Sequence, residues 1–115
     1  DDSMPIVTRL PVFTPPTKFD TPTAVFLDEV LTARMGEEVV IDVKREGMGA
    51  EDFAEFVTPE LGVKGVYMAV GGTPLNELHK AASHHSPFFK VEPEPSVKRG
   101  TEAMVVSAMA LFDRG

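Results

Sequence analysis

The chain contains no cysteine, and this absence removes two kinds of structure at once. No disulfide can form, and no zinc ion can be held by thiolates. The absence does not indicate a redox compartment, because cysteine-free chains occur in oxidising and reducing environments alike.

Long apolar runs are missing as well. No stretch reaches the roughly 20 apolar residues that a transmembrane helix needs. The first residues, Asp-Asp-Ser-Met-Pro-Ile-Val, do not have the pattern of a signal peptide. We therefore expect a cytoplasmic protein that makes no contact with a membrane.

Positive charge is scarce. The chain has 11 Lys and Arg residues against 18 Asp and Glu residues, which gives a formal net charge of -7. The basic residues are scattered, whereas binding to a phosphate backbone needs a basic stripe. We expect no nucleic-acid partner. The chain also lacks a Gly-x-Ser-x-Gly elbow and a phosphate-binding loop.

The 115 residues are enough for one domain with a real core. Thr21 as N-cap and Pro22 as first helical residue predict a helix start, and Gly36 predicts its end. A last helix is predicted over 96–113. Its apolar positions follow helical spacing; they are Val97, Thr101, Met104, Val105, Ala108, Leu111 and Phe112.

Two apolar segments between these helices predict strands, at 38–43 and 65–70, with a short helix at about 50–57 between them. This alternation predicts an α/β fold with a parallel pair of strands. Two buried parallel strands need further neighbours and helices on both faces. Either the chain is part of a larger sheet completed by other polypeptide, or residues 1–13 add a third strand to a small three-layer domain.

The three histidines lie within seven positions, and His84 and His85 are adjacent in the loop Ser-His-His-Ser-Pro-Phe-Phe, 83–89. Neutral imidazole is a common zinc ligand, and Pro87 stiffens the loop after the pair. Two adjacent loop residues point in different directions, so one site takes one of them. Without further context, two solvated histidines explain the pair more simply.

Two glycine-rich segments also follow the predicted strands. Gly-Met-Gly-Ala-Glu-Asp-Phe, 47–53, precedes a helix start, where free backbone N–H groups can meet an anion. Glu51 and Asp52 have a simpler role there, in favourable interaction with the helix dipole. Gly71 and Gly72 follow the second strand and are equally consistent with a tight turn.

Taken in order, 47–53, the His-His-Ser-Pro-Phe-Phe loop at 84–89 and the terminal helix resemble the C-terminal end of the zinc-dependent amidohydrolases. This family includes hippurate hydrolase, aminoacylase and carboxypeptidase-like metallopeptidases. The stretch Pro-Pro-Thr-Lys-Phe-Asp-Thr-Pro, 15–22, resembles the family's connector from the inserted lid or dimerisation domain. The resemblance covers nearly the whole chain.

The resemblance implies part of a three-layer mixed sheet of the zinc exopeptidase type, incomplete in this chain. Residues 1–19 would be the last strand and connector of the lid domain, and residues 20–115 the C-terminal portion of the catalytic domain. The family's metal centre holds two divalent ions, here zinc, and the position matching its C-terminal ligand is His85. The substrate-binding positions that the resemblance implies are Gly49, Glu51, Asp52 and His84.

The chain departs from the family in one respect. It has no His-x-Asp segment and no Glu-Glu pair in a matching context, since Glu37-Glu38 directly follows a helix end. The family's other ligands and its general base lie in an N-terminal part. We therefore expect this chain alone to be inactive and to be completed by that part or by a second chain.

The function implied for the complete protein is hydrolysis of an amide bond in an N-acyl amino acid or small peptide by a homo-oligomeric enzyme. The alternative from the residues themselves is a non-catalytic α/β interaction or ligand-binding module descended from such an enzyme.

Overall fold

Two α-helices and three 3₁₀ helices form the regular structure of the computed structural model, which describes residues 3–8, 11–41 and 51–114. The α-helices are α1, Thr21–Met35, and α2, Pro93–Arg114. The 3₁₀ helices are Asp52–Val57, Pro59–Leu61 and Leu75–Lys80. These described ranges contain no β-strand. The predicted α/β fold with a mixed sheet is therefore wrong.

The first predicted strand is replaced by a turn. Residues 37–40 form a turn and bend after α1, in which the Val39 N–H donates to the Gly36 carbonyl at 3.1 Å. Residues 42 and 43 of this predicted strand lie outside the described part. A strand needs a paired neighbour along its backbone, and a local turn satisfies the backbone here instead.

The second predicted strand lies in residues 63–72, the connecting segment, which has no regular secondary structure. Two of its carbonyls accept hydrogen bonds from the ends of helices. Asp20 N–H donates to Gly65 at 3.0 Å and Glu92 N–H donates to Gly72 at 2.8 Å. The connecting segment thus ties the starts of α1 and α2 together, and none of the described residues forms a strand beside it.

The third strand considered for residues 1–13 is absent from the described part of that region. Ile6, Val7 and Val12 are 93%, 92% and 85% exposed. Apolar side chains of a strand in a small three-layer domain would be covered on at least one face. The described residues therefore do not form the small three-layer domain.

Helix α1 confirms the predicted start and stop signals with a shift of one residue. The N-cap is Asp20, not Thr21, and its carboxylate accepts the Thr23 N–H at 3.0 Å and the Thr23 hydroxyl at 2.6 Å. The hydrogen bond from the hydroxyl is the main cause that lowers the pKa of Asp20 below its usual 3.8. Gly36 ends the helix with φ at +102°, a backbone conformation that favours glycine.

Helix α2 confirms the predicted terminal helix but begins three residues earlier, at Pro93. Its contact with α1 includes the Arg114 guanidinium, 4.5 Å from the centre of the Phe26 ring. The less exposed positions of α2 carry mostly small side chains; they are Ser96, Gly100, Glu102, Ala103, Val106, Ser107 and Ala110. The predicted apolar face is not the buried one.

The core is small. Leu27 and Leu31 of α1, Ala54 and Ser107 are the buried side chains among the described residues. The chain exposes 10148 Å², whereas a compact monomer of this length exposes about 6,200 Å². Its radius of gyration is 18.1 Å, against about 13 Å for a compact domain. Much apolar surface is therefore uncovered.

In the described ranges, neither α1 nor α2 combines the length and the apolar character that crossing a bilayer requires.

Candidate functional site

The histidine loop, residues 83–89, is built from two consecutive tight turns. Ser86 N–H donates to the Ser83 carbonyl at 3.2 Å, and Phe89 N–H donates to the Ser86 carbonyl at 3.0 Å. The Ser86 hydroxyl also accepts the Phe88 N–H at 3.2 Å. The loop between Lys80 and α2 therefore has a defined local shape at the histidine pair.

The two histidines have different environments within this loop. The His84 ring meets the Phe89 ring edge to face, with 4.9 Å between ring centres and 78° between planes. His85 has φ at +65°, and it is the one non-glycine residue in the described part with positive φ. Histidine adopts this left-handed conformation more often than most residues, but still at a cost.

An open concavity of about 650 Å³ lies beside the loop. Its wall contains His84 and Phe89 of the loop, Val70 and Gly72 of the connecting segment, and Val97 of α2. The wall is mainly apolar, with a few polar groups at its edge. Concave, mostly apolar sites of this size are where small molecules commonly bind.

The other predicted substrate residues lie along the same connecting segment. Glu51 precedes the 3₁₀ helix Asp52–Val57, which confirms the predicted short helix in a tighter form. The Tyr67 hydroxyl donates to Glu51 Oε2 at 3.1 Å, and the Tyr67 ring lies 5.5 Å from that of Phe53. Asp52 is exposed. Gly49 lies outside the described residues.

The structure thus places the predicted residues at two positions along one segment. Glu51 contacts the segment at Tyr67, and His84 shares the concavity with Gly71, four residues further on. Four residues of chain span at most about 14 Å. Glu51 and Tyr67 are nevertheless not part of the wall of the concavity, so the described residues form two neighbouring groups and not one site.

A metal centre cannot be assembled from the described residues alone. Zinc needs three or four protein or solvent ligands, and no group of three or more His, Asp or Glu side chains in the described ranges is placed to hold a metal ion. His85 can contribute one ligand. A centre that used His85 would therefore need ligands beyond those that the described residues bring together.

Sequence reasoning missed two aromatic residues that position the candidate site. Phe89 holds the His84 ring, and Tyr67 holds the Glu51 carboxylate. The sequence did contain a signal for Phe89, because an aromatic side chain a few positions after a histidine in a turn-rich loop can fold back onto the histidine ring. Tyr67 is the single tyrosine of the chain and lies in an otherwise apolar run, which suggests a polar partner for its hydroxyl.

Comparison with known proteins adds no relative: no family model, no curated protein and no solved structure matches the chain.

Proposed function

We propose that the chain is the C-terminal part of a metal-dependent amidohydrolase, in which His85 is one ligand of a two-zinc centre. The observation that carries the proposal is the conformation of the histidine loop. His85 has a left-handed backbone as the third residue of the first tight turn, and the neighbouring His84 ring contacts Phe89 at the wall of a concavity. Backbone conformations that cost free energy concentrate at functional sites.

Each histidine then has a separate role. Adjacent residues project differently, so His85 holds the ion while His84 contacts the substrate from the concavity wall. The Phe89 ring limits the rotation of the His84 ring, so that its contact with substrate needs little further ordering. The apolar wall formed by Val70 and Val97 suits the acyl group of an N-acyl amino acid or the side chain of a small peptide.

Glu51 and Asp52 would contact a substrate that extends from the concavity along the connecting segment. The Tyr67 hydroxyl fixes the Glu51 carboxylate, which can accept a hydrogen bond from a substrate N–H group. When bound, the two ions supply Lewis acidity toward the amide carbonyl and toward water. The remaining ligands and the general base would come from the polypeptide that completes the centre.

The test is hydrolysis of a panel of N-benzoyl and N-acetyl amino acids. This chain is mixed with the polypeptide encoded directly before Asp1 in the same reading frame, called here the upstream polypeptide. We expect release of free amino acid only when both polypeptides and zinc are present, and its loss after treatment with a chelator. Hydrolysis that survives metal removal, or that the upstream polypeptide performs at full rate alone, would contradict the proposal.

A second candidate function is a non-catalytic ligand-binding module. It is favoured by the open, mainly apolar concavity of about 650 Å³ beside the histidine loop, which could hold a ligand without any metal ion. The hydrolysis panel separates the two, because the module would bind an N-acyl amino acid without releasing product under any metal condition.

A further inference from the structure

Another cavity, of about 380 Å³, lies next to the concavity and shares part of its wall. Unlike the concavity, it is lined by four charged side chains, two of each sign; they are Glu77, Lys80, Lys90 and Glu92. We call this cavity the charged cleft. Its two lysines and two glutamates have no net charge together, whereas the whole chain carries a net charge of -7. The charged cleft is therefore a locally neutral but strongly polar part of an acidic surface.

The charged side chains of the cleft come from two walls whose backbone is fixed by local structure. One wall is the 3₁₀ helix Leu75–Lys80. Side chains three positions apart eclipse on such a helix, so Glu77 and Lys80 lie on the same face. The other wall precedes α2, where the Glu92 N–H donates to the Gly72 carbonyl at 2.8 Å. Each wall thus presents one positive and one negative charge to the same cavity.

These four charged groups have no partner among the residues that the structure describes. The ion pair found there joins Arg99 and Glu102 of α2, which do not line the cleft. Two ammonium groups, with three donors each, and two carboxylates, which accept hydrogen bonds, therefore keep their bonding capacity for a ligand.

The pattern of charge decides which kind of ligand fits the cleft. A simple anion would be repelled by the two carboxylates, and a simple cation would be repelled by the two ammonium groups. A zwitterion has no net charge and carries one group of each sign. Its carboxylate can accept hydrogen bonds from the lysines while its ammonium group donates to the glutamates, and such charge-assisted hydrogen bonds are the stronger kind.

An apolar rim completes the charged cleft. Phe88 and Val91 line it together with Pro74, and their side chains are 78% and 44% exposed for the two named first. The Phe88 N–H donates to the Ser86 hydroxyl at 3.2 Å, which holds the backbone of the rim. The cleft volume is near the lower end of the range for ligand pockets. Rim and volume together suit an amino acid or a dipeptide with an apolar side chain.

We propose that the charged cleft binds such a zwitterion, an α-amino acid or dipeptide with an apolar side chain. Lys80 and Lys90 bind its carboxylate, Glu77 and Glu92 bind its ammonium group, and Phe88 contacts its side chain. This binding uses no metal ion and neither histidine of the loop, so it can be true or false independently of the proposed function. An N-acyl amino acid has no ammonium group and is not a ligand of the cleft.

The test titrates leucine and three derivatives into the isotope-labelled chain and follows the backbone amide signals by NMR. Leucine and leucyl-leucine are zwitterions, N-acetyl-leucine has only the carboxylate, and leucinamide has only the ammonium group. We expect saturable shifts at Lys80 and Lys90 below about 10 mM for the zwitterions. Each singly charged derivative should bind at least about 10-fold more weakly. The signals of His84 and Val97, which line only the concavity, should stay in place.

Variants that remove one charge assign the roles of the side chains. Lys90→Gln should weaken leucine binding at least about 5-fold and leave the binding of leucinamide, which has no carboxylate, unchanged. Glu77→Gln should weaken leucine binding to a similar extent and leave the binding of N-acetyl-leucine unchanged. Lys98→Gln is the matched control, because Lys98 is an exposed lysine of α2 outside the cleft. Circular dichroism checks that each variant retains its helices.

Four results would overturn the proposal. The first is the absence of saturable shifts up to about 10 mM leucine or leucyl-leucine. The second is binding of N-acetyl-leucine or leucinamide as tight as that of leucine, since the apolar rim alone would then explain it. The third is a set of shifts confined to His84 and Val97, which would place the ligand in the concavity. The fourth is a loss of affinity in Lys98→Gln equal to that in Lys90→Gln.

Discussion

Glycine at position 85 should abolish zinc binding by the completed protein while leaving the stability of the chain unchanged or slightly raised. The reason is the φ of +65° at His85. Glycine adopts this conformation without the steric cost that a Cβ brings, so His85→Gly keeps the shape of the loop and removes only the imidazole. Loss of a residue that only orients a metal ligand lowers metal affinity about 10- to 100-fold. Loss of the His85 imidazole, the proposed ligand itself, should lower zinc affinity at least as much.

The measurement is a zinc titration of the chain with the upstream polypeptide, together with a urea titration of helical circular dichroism. His84→Ala is the matched control, because His84 lies next to His85 and contacts Phe89 but is not the proposed ligand. The His84→Ala variant should keep a zinc affinity within a few-fold of that of the unmodified chain, and its substrate binding should be weaker. If His85→Gly kept full zinc affinity, or if His84→Ala lost as much as His85→Gly, the assignment of the ligand would be wrong.

Alanine at position 65 should destabilise the chain by about 1–3 kcal/mol, the usual cost of forcing an extra methyl group into packed surroundings. A Cβ at Gly65 would overlap Val57 Cγ1 and lie 3.0 Å from Phe53 Cζ. Val57 cannot turn away easily, because β-branched side chains are restricted at χ1. The Gly65 carbonyl also accepts the Asp20 N–H at the start of α1, so a shift at this glycine disturbs two helices.

Gly71→Ala is the control for this prediction, since a Cβ at this position would have no neighbouring atom within 4 Å. We expect its effect to stay within about 0.5 kcal/mol. The urea midpoint of the helical circular dichroism signal measures both variants. Equal midpoints for Gly65→Ala and Gly71→Ala would show that the 3₁₀ helix Asp52–Val57 does not pack against the connecting segment as described.

Helix α1 was predictable because its start and end are fixed by local chemistry. An acidic or hydroxyl cap and a proline in the first turn fix the start, and a glycine with positive φ fixes the end. The error of one residue at the cap arose because Asp20 and Thr21 are both good capping residues. The choice between them depends on the Thr23 hydroxyl, which bonds to the Asp20 carboxylate.

The prediction of a sheet was wrong where the prediction of α1 was right. A strand forms only beside a neighbouring strand, and the composition of a segment does not show whether that neighbour exists. The apolar run at 65–70 has strand composition, but its carbonyls at Gly65 and Gly72 bond to helix ends. Helix α2 shows the same limit, because helical spacing identified the large apolar residues, whereas Ser107 is the buried residue of this helix and Gly100 is partly covered.

The placement of the histidine pair in a loop was predictable, but the geometry of that loop was not. The histidine pair was expected in a loop and lies in one. The left-handed backbone of His85 and the contact between His84 and Phe89 depend on the order of two turns, which composition does not encode. The prediction for Gly49 concerns a residue outside the described part and stays a prediction.

The most direct test of the central claim is calorimetric titration of zinc into this chain alone, into the upstream polypeptide alone, and into an equimolar mixture of the two. The account predicts that zinc binds tightly only in the mixture, since His85 provides one ligand and the described residues hold no complete set. Tight binding to the upstream polypeptide alone, with no change when this chain is added, would show that the histidine loop holds no metal.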